Sequence, residues 1–433
     1  VIKRWLKPGD ILLIAMVVVP VLLIMPSLMQ EAWNQPSGFF RGLARLAGVI
    51  GLSLMLLAAM MSIRLPYLDR LFGGLPRLWS QHRWVGFLSF MLVMLHAWGL
   101  SFSVITRGME PAMTVLFPPL SYWPVWMGWL ALALMVAFLG PTFRFAGRLN
   151  YQKWKRLHLL SAPATVAALA HTLPLATYPL VWWFLGALAI GAVIWRKVLS
   201  PSLGRFEYEV VEVNTLVRGV VEISLKPRGK PIQYEAGQFV YLTPFDDSLS
   251  NGVGEEHPYT LSSAPSDKYL KVGIKDLGDS SHAIQTIRKG SRVQIEGPYG
   301  DFYERHYPQK QQLWLGGGIG ITPFVSGARD MAGQEKPAAQ VHLFYLANDP
   351  SRAYFADELK EIAVKQPTFD LTLHLFREQG AMTAAFLQEH CPDYREREIY
   401  MCGPAPMINH LRALLMHEGV PASAIHFEVF DFL

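Results

Sequence analysis

His82-Arg-Trp-Val-Gly-Phe-Leu-Ser-Phe-Met-Leu-Val-Met-Leu-His96 is the stretch on which the reading of this chain turns. Apart from Arg83, everything between its two imidazoles is uncharged and mostly apolar. It opens a predicted membrane span over residues 82–105, since about 20 helical residues cross a hydrocarbon core of roughly 30 Å. Stretches of similar length and character run near 10–29, 42–63, 122–143, 156–174 and 178–196, so six spans are expected. The first 200 residues contain four histidines: His82 and His96 on the third span, His158 and His171 on the fifth. An ionisable side chain inside a bilayer is costly and points to function by default. The third and fifth spans run in the same direction, so His82 lies level with His158 and His96 with His171. Their spacings correspond to about 21 and 20 Å of helix. Two stacked bis-histidine levels result. A lone membrane histidine is usually a polar contact between helices, but pairing at matched depth favours ligation. Imidazole is a common axial ligand of haem iron, and an apolar bundle can enclose a porphyrin. Zinc, the other histidine chemistry, finds no carboxylate or thiol nearby. One detail resists an ideal helix: thirteen residues leave His158 and His171 roughly 140° apart around the axis. Pro163, between them, is a candidate kink.

The chain divides sharply by charge. Of 433 residues, 51% are hydrophobic and 17% charged. Residues 1–200 hold 17 Lys+Arg against 4 Asp+Glu, a net of +13, and residues 201–433 carry a net of −8. The basic pI therefore belongs to the apolar half, which excludes nucleic acid as a partner; the composition also excludes disorder. Two cysteines, Cys391 and Cys402, are too few for a disulfide scaffold and fit a reducing compartment. Lys3, Arg4 and Lys7 precede the first span. Arg64, Arg70, Arg77 and Arg83 surround the second connection, Arg144, Arg148, Lys153, Lys155 and Arg156 fill the fourth, and Arg196 and Lys197 follow the last span. The alternate connections carry only Arg41, Arg45 and Arg107. By the positive-inside rule both termini are cytoplasmic and the acidic half hangs inside. The first span, with no small-residue cleavage site after it, is expected to be a retained helix rather than a signal peptide.

From Arg205 the pattern changes to short alternating strands with Gly and Pro turns, predicting a small antiparallel β-barrel to about residue 300. Beyond Pro308 strands alternate with helices, predicting a parallel α/β sheet. The expected architecture is a multidomain membrane protein: an all-α six-helix bundle over 1–200, a barrel over 203–306 and an α/β nucleotide-binding domain over 307–433. Leu315-Gly-Gly-Gly-Ile-Gly-Ile-Thr-Pro323 follows a strand and opens a helix, where backbone N–H groups and the helix dipole favour a pyrophosphate.

Three motifs carry a family resemblance: His257-Pro-Tyr-Thr-Leu-Ser-Ser263, the Gly316–Pro323 loop and Cys402-Gly-Pro404. They resemble the ferredoxin–NADP reductase superfamily. Joined to histidine-paired membrane helices, they resemble the NADPH oxidase and ferric reductase family in its compact bacterial form, placed in the bacterial inner (cytoplasmic) membrane. The resemblance implies FAD held by His257, Pro258, Tyr259, Thr260 and Ser263, with Lys275 and the turn carrying Ser280 and Ser281 facing its diphosphate. It implies a nicotinamide nucleotide cradled by Gly316, Gly317, Gly318, Ile319, Gly320, Thr322 and Pro323, with Cys402, Gly403 and Pro404 beside the nicotinamide. Phe430 or Phe432 would stack on the flavin. Asn348, Arg352 and Arg377 would read a ribose 2′-phosphate, favouring NADPH with NADH as the alternative. Electrons would pass from NAD(P)H to FAD, then through two haems b at His82/His158 and His96/His171.

The family also places an arginine and a histidine by the outer haem to hold oxygen. Arg41 or Arg45 is positioned to be the arginine; Leu100 stands where the histidine is expected. Three acceptors follow: oxygen giving superoxide, a ferric chelate, or an extracytoplasmic protein for which this chain supplies electrons. With no calcium-binding loop before the membrane half, a calcium-activated subtype is not expected.

Overall fold

A computed structural model describes residues 7–66, 68–142, 151–303, 311–335 and 337–429. The chain forms two compact units, Val1–Leu203 and Gly204–Leu433.

The first unit is helical: α1 (Pro8–Met29), α2 (Pro36–Met60), α3 (Leu75–Phe102), α4 (Met109–Leu116), α5 (Trp123–Leu139), α6 (Tyr151–Leu157), α7 (Ser161–Thr172), α8 (Pro179–Ile194) and α9 (Ser200–Leu203). Proline stands in the first turn of α1, α2, α3, α5 and α8, where its missing N–H costs nothing. At α1 the Lys7 N–H donates to the Asp10 carboxylate at 2.8 Å. The same buried carboxylate accepts from Arg77 at 2.7 Å and Gln81 at 3.0 Å, tying α1 to the start of α3. Small residues on α2 let α3 approach closely: a Cβ added at Gly99 would lie 2.9 Å from Ala44, and the Ser89 hydroxyl donates to the Gly51 carbonyl at 2.8 Å. This is how membrane helices pack when lipid is as apolar as leucine.

Six spans were expected; among the described residues five helices are long and apolar enough to cross a membrane. The stretch 156–174 is the exception. From the end of α6, which carries Lys153, Lys155 and Arg156, it is broken by a 3-10 turn at His158–Leu160 before α7. Pro163 has no N–H to offer the Leu159 carbonyl, and the chain tightens there, with the Ser161 N–H bonding back to His158. Each 3-10 step turns about 120° rather than about 100°, so three steps remove roughly 60° of the His158–His171 offset. The expected kink is thus an overwound turn.

The second unit opens with an antiparallel sheet of β1 (Arg205–Val217), β2 (Val220–Pro227), β3 (Phe239–Phe245), β4 (His257–Thr260), β5 (Leu270–Lys275) and β6 (Arg292–Tyr299) in the order β4-β3-β6-β1-β2-β5, with the short helix α10 (Asp279–Ala283) before β6. Val210, Ile223, Leu225, Val240, Leu242, Val272 and Ile295 fill its core. The expected closed barrel is not formed. The edge strands meet through a single bridge, Leu261–Val272, because four-residue β4 is too short to build a ladder with β5.

A parallel sheet follows, of β7 (Gln312–Gly317), β8 (Val341–Ala347), β9 (Phe369–Leu375), β10 (Glu398–Gly403) and β11 (Ile425–Val429), ordered β11-β10-β7-β8-β9. The helices α11 (Thr322–Ala332), α12 (Ala356–Lys365), α13 (Phe376–Gln379), α14 (Ala384–His390) and α15 (Ala405–His417) lie between the strands in sequence. The strand order reverses between β7 and β10, so the carboxyl ends of those two strands form the crevice where open α/β sheets bind ligands.

Candidate functional site

The four membrane histidines meet in two pairs. The ring centroids of His82 and His158 are 6.1 Å apart, and so are those of His96 and His171. Two imidazoles binding one metal ion from opposite sides at about 2.0–2.1 Å per bond would put their centroids roughly 6 Å apart. Nδ1 of His82, His96 and His171 lies 2.9, 2.9 and 2.8 Å from the carbonyls of Ala58, Ala44 and Pro124. A carbonyl only accepts, so Nδ1 carries the proton and Nε2 keeps a free lone pair, the arrangement that prepares histidine for a metal. Phe138 and Trp154 flank His158.

Two glycines make room for His96 and His171. A Cβ at Gly48 would stand 2.6 Å from His96 Nδ1, and one at Gly128 would stand 2.9 Å from His171 Nδ1. A largely apolar cavity of about 370 Å³ opens against His96 and His171. Arg45 and Leu100 line it, together with Trp129 and Tyr178. Arg45 is held by Glu31 at 2.9 Å and the Ser27 hydroxyl at 2.8 Å, whereas Arg41 reaches Glu31 only at 3.9 Å and is not part of the lining. The residues present therefore fit two bis-imidazole haem sites.

In the antiparallel sheet, His257, Pro258, Tyr259 and Thr260 form β4, paired along β3. His257 Nε2 is buried and faces Glu255 at 3.5 Å, an ion-pair contact without hydrogen-bond geometry. Ser263 is occupied within the protein: its Oγ lies 2.7 Å from the Tyr234 hydroxyl and accepts from the Lys271 N–H at 2.9 Å. Lys275 ends β5 opposite Val220. Ser280 donates to Glu255 at 3.1 Å, bringing the α10 turn to the segment that leads into β4. Ser281 caps that turn, accepting from the Gly278 N–H at 2.9 Å.

In the parallel sheet, Gly316 and Cys402 sit side by side on β7 and β10, at the reversal of strand order. The Gly316–Pro323 loop and the Cys402-Gly-Pro404 strand end interlock. A Cβ at Gly320 would lie 2.6 Å from the Gly403 backbone, and one at Gly317 would collide with Met407. Gly318 has φ +59, where glycine is unhindered. Thr322 and Pro323 begin α11. Cys402 is fully buried; burial, reinforced by Glu428, pushes its thiol well above the ordinary range, so it stays protonated. Cys391 is a buried core residue. Arg377 pairs with Asp349 at 3.0 Å, and its N–H bonds the Asn348 carbonyl at 3.1 Å. Arg352 lies on the same loop, its N–H bonded to the Asp349 carbonyl at 3.0 Å. The Ser351 hydroxyl, then Arg377 and Arg352, hold the Asp349 carboxyl below its ordinary value. Phe430 and Phe432 lie outside the described residues.

Residues 47–169 match the ferric reductase like transmembrane component family, 205–302 the FAD-binding domain and 314–413 the oxidoreductase NAD-binding domain. The chain thus joins a segment similar to the ferric reductase like transmembrane component to an FAD-binding domain and an NAD-binding domain. It is similar to dual oxidase 2 of Rattus norvegicus, 24% identical over 74% of this chain and 22% of that one. It is also similar to the glycine betaine monooxygenase reductase subunit of Chromohalobacter salexigens, 32% identical over 46% of this chain and 56% of that one. The chain thus spans about half, or less, of the length of these relatives. The flavohem-like FAD/NAD-binding domain of nitric oxide dioxygenase from Vibrio cholerae matches 52% of this chain and 98% of its own at 24% identity, with a TM-score of 0.45. The chain therefore combines helices long and apolar enough to cross a membrane with FAD-binding and oxidoreductase NAD-binding domains.

Several site residues escaped the sequence reading. Gly48 and Gly128 matter for what they lack, and no pattern marks an absent side chain. Glu222 and Arg329 are 107 positions apart yet bond at 2.8 Å. Tyr303, buried among Phe302, Trp314 and Tyr400, donates to the Pro323 carbonyl at 2.9 Å and fixes the end of the glycine loop.

Proposed function

We propose that this protein carries electrons across the membrane from cytoplasmic NAD(P)H to an extracytoplasmic acceptor, with FAD and two b-type haems as resident groups. The single observation that carries the reading is the pair of imidazole couples, each with centroids 6.1 Å apart. When bound, FAD supplies two-electron uptake with one-electron release, and haem iron supplies one-electron relay. The domain reading is a haem domain over 1–200, an FAD domain over 203–306 and a nucleotide domain over 307–433, with both termini and the flavin module cytoplasmic in a bacterial inner membrane.

His82 with His158, and His96 with His171, would hold the irons; the backbone carbonyls of Ala58, Ala44 and Pro124 orient the rings. Pro258, Tyr259 and Thr260 would line the flavin, with His257 beside them at the head of β4. Ser263 supports that strand from inside, while Lys275, Ser280 and Ser281 face the diphosphate. Gly316, Gly317, Gly318, Ile319 and Gly320 bring backbone amides to the nucleotide pyrophosphate at the start of α11, where Thr322 and Pro323 set the turn. Cys402, a neutral thiol, would border the nicotinamide with Gly403 and Pro404, and Phe430 or Phe432 would cover the flavin. Arg352 and Arg377 are the 2′-phosphate candidates for NADPH. The Asp349–Arg377 ion pair favours NADH as the second reading, because a phosphate would have to displace that carboxylate.

Oxygen reduced to superoxide is the proposed outcome, with Arg45 rather than Arg41 in the lining of the outer cavity. Leu100 in the same lining favours, as the second reading, a ferric chelate or an extracytoplasmic protein acceptor. The deciding experiment reduces the haem- and FAD-loaded protein with NADPH under anaerobiosis and then admits oxygen. Rapid haem reoxidation with stoichiometric superoxide is expected. Haem left unreduced by NADPH and by NADH would refute the electron path, and slow reoxidation would exclude oxygen as acceptor.

A further inference from the structure

Helix α11 begins at the glycine loop, and one face of it is pressed onto the antiparallel sheet. Thr322, Ser326 and Arg329 fall at i, i+4 and i+7, on one side of the helix. A Cβ at Gly273 of β5 would lie 2.7 Å from the Thr322 methyl, so glycine is what allows that contact. The Ser326 hydroxyl donates to the Ser263 carbonyl at 2.6 Å. Arg329 donates to the Ser262 carbonyl at 2.9 Å, to Glu222 of β2 at 2.8 Å and to Glu358 of α12 at 2.6 Å. Ser262 closes the loop by donating to Glu222 at 2.7 Å. Only 10% of the Arg329 side chain and 7% of the Glu222 side chain are exposed.

Ser262 and Ser263 follow Leu261, the residue after β4, the strand proposed to line the flavin. The arginine therefore holds the carbonyl two residues beyond Thr260 while riding on the helix whose first turn meets the nucleotide. We propose that Arg329 is a positioning residue for hydride transfer, setting the nucleotide loop against the flavin strand through Ser262 and Glu222. This rests on the reading that β4 holds FAD and the Gly316–Pro323 loop holds NAD(P)H. The buried geometry argues for more than adhesion. A planar guanidinium bonded at three fixed sites transmits a defined distance and angle, which one flexible surface pair does not. Hydride transfer, two electrons and one proton leaving the dihydronicotinamide together for the flavin, is steep in donor–acceptor distance. A misplacement of about 1 Å can cost on the order of a hundredfold in rate.

The test uses the full chain loaded with FAD and haem, comparing parent, Arg329→Lys and Ser326→Ala. Flavin bleaching is followed in a single turnover with nicotinamide nucleotide carrying hydrogen or deuterium at C4, alongside FAD and nucleotide affinities. Arg329→Lys should bind both cofactors like the parent, slow bleaching by about ten- to a hundredfold, and raise the isotope effect. Ser326→Ala should act in the same sense more weakly, and it decides the matter if Arg329→Lys does not fold. Parent rates and isotope effects in the folded variants, or a slowing that follows weakened cofactor affinity, would overturn the proposal while leaving the cofactor reading intact. A parent flavin that neither nucleotide bleaches would overturn the cofactor reading, and the positioning role with it.

Discussion

At Gly48 and Gly128 the rings of His96 and His171 rest against bare backbone. Adding a methyl at Gly128 places a carbon 2.9 Å from His171 Nδ1, so the ring must rotate away from the Pro124 carbonyl that orients it. Disturbing such a supporting contact typically costs ten- to a hundredfold in metal affinity. We therefore expect Gly128→Ala to lose about half the haem, as His171→Ala should, because only the outer of two bis-histidine sites is disturbed. A pyridine haemochrome assay checks this; full haem in both variants would refute ligation by His171. The histidines were legible in the sequence because four of them fall in two pairs at matched depth on two predicted spans, a pattern that single polar contacts between helices do not require. The glycines were not, since only the packed neighbour reveals why a side chain is missing.

Among the elements, the 3-10 turn at His158–Leu160 links a local rule to the inner pair. Pro163→Ala restores an N–H for the Leu159 carbonyl and should relax the turn toward α-helix. Up to roughly 60° of rotation between His158 and His171 would return. The expected outcome is a shifted or diminished inner-haem spectrum in a protein that folds as well as the parent; an unchanged spectrum would mean that the turn is set by packing instead. The parallel sheet carries a different liability. Burial foremost, with Arg397 and His390 adding to it and Asp370 and Asp393 opposing, pushes His342 down from its ordinary 6.5 to about 4. The folded state thus binds fewer protons than the unfolded chain between those values, and stability falls as pH drops through that window. Glu222 adds to the loss: burial opposes its ionisation, but Arg329 and Ser262 outweigh burial and hold it below its ordinary 4.5. Its contribution, present above 4.5, is lost as pH falls through the lowered value. The urea midpoint should decline from about pH 6.5 downward, with His342→Gln flattening the upper part of the slope. A midpoint independent of pH across this range would contradict both assignments.

Over the whole molecule, cofactor binding and stability should be linked within the unit Gly204–Leu433, since the proposed FAD and nucleotide sites draw β4, β7 and β10 from two different sheets. FAD at a hundredfold excess over its dissociation constant should stabilise this unit by about 2.7 kcal/mol. A thermal melt with and without added FAD measures it, and no shift in a protein that retains FAD would argue that β4 is not where it binds. The sequence by itself determined the division into an apolar basic half and an acidic α/β half, the paired imidazoles and the nucleotide loop. These are set by local composition and spacing, which a chain carries whether folded or not. Tertiary structure alone decided that β4 and β5 meet at one bridge rather than closing a barrel, and that Arg45, not Arg41, lines the cavity against His96 and His171. It alone decided that Arg329 joins two sheets through Ser262 and Glu222. Such contacts depend on which distant backbones approach within bonding distance, and that is fixed by packing in three dimensions, not by any pattern along the chain.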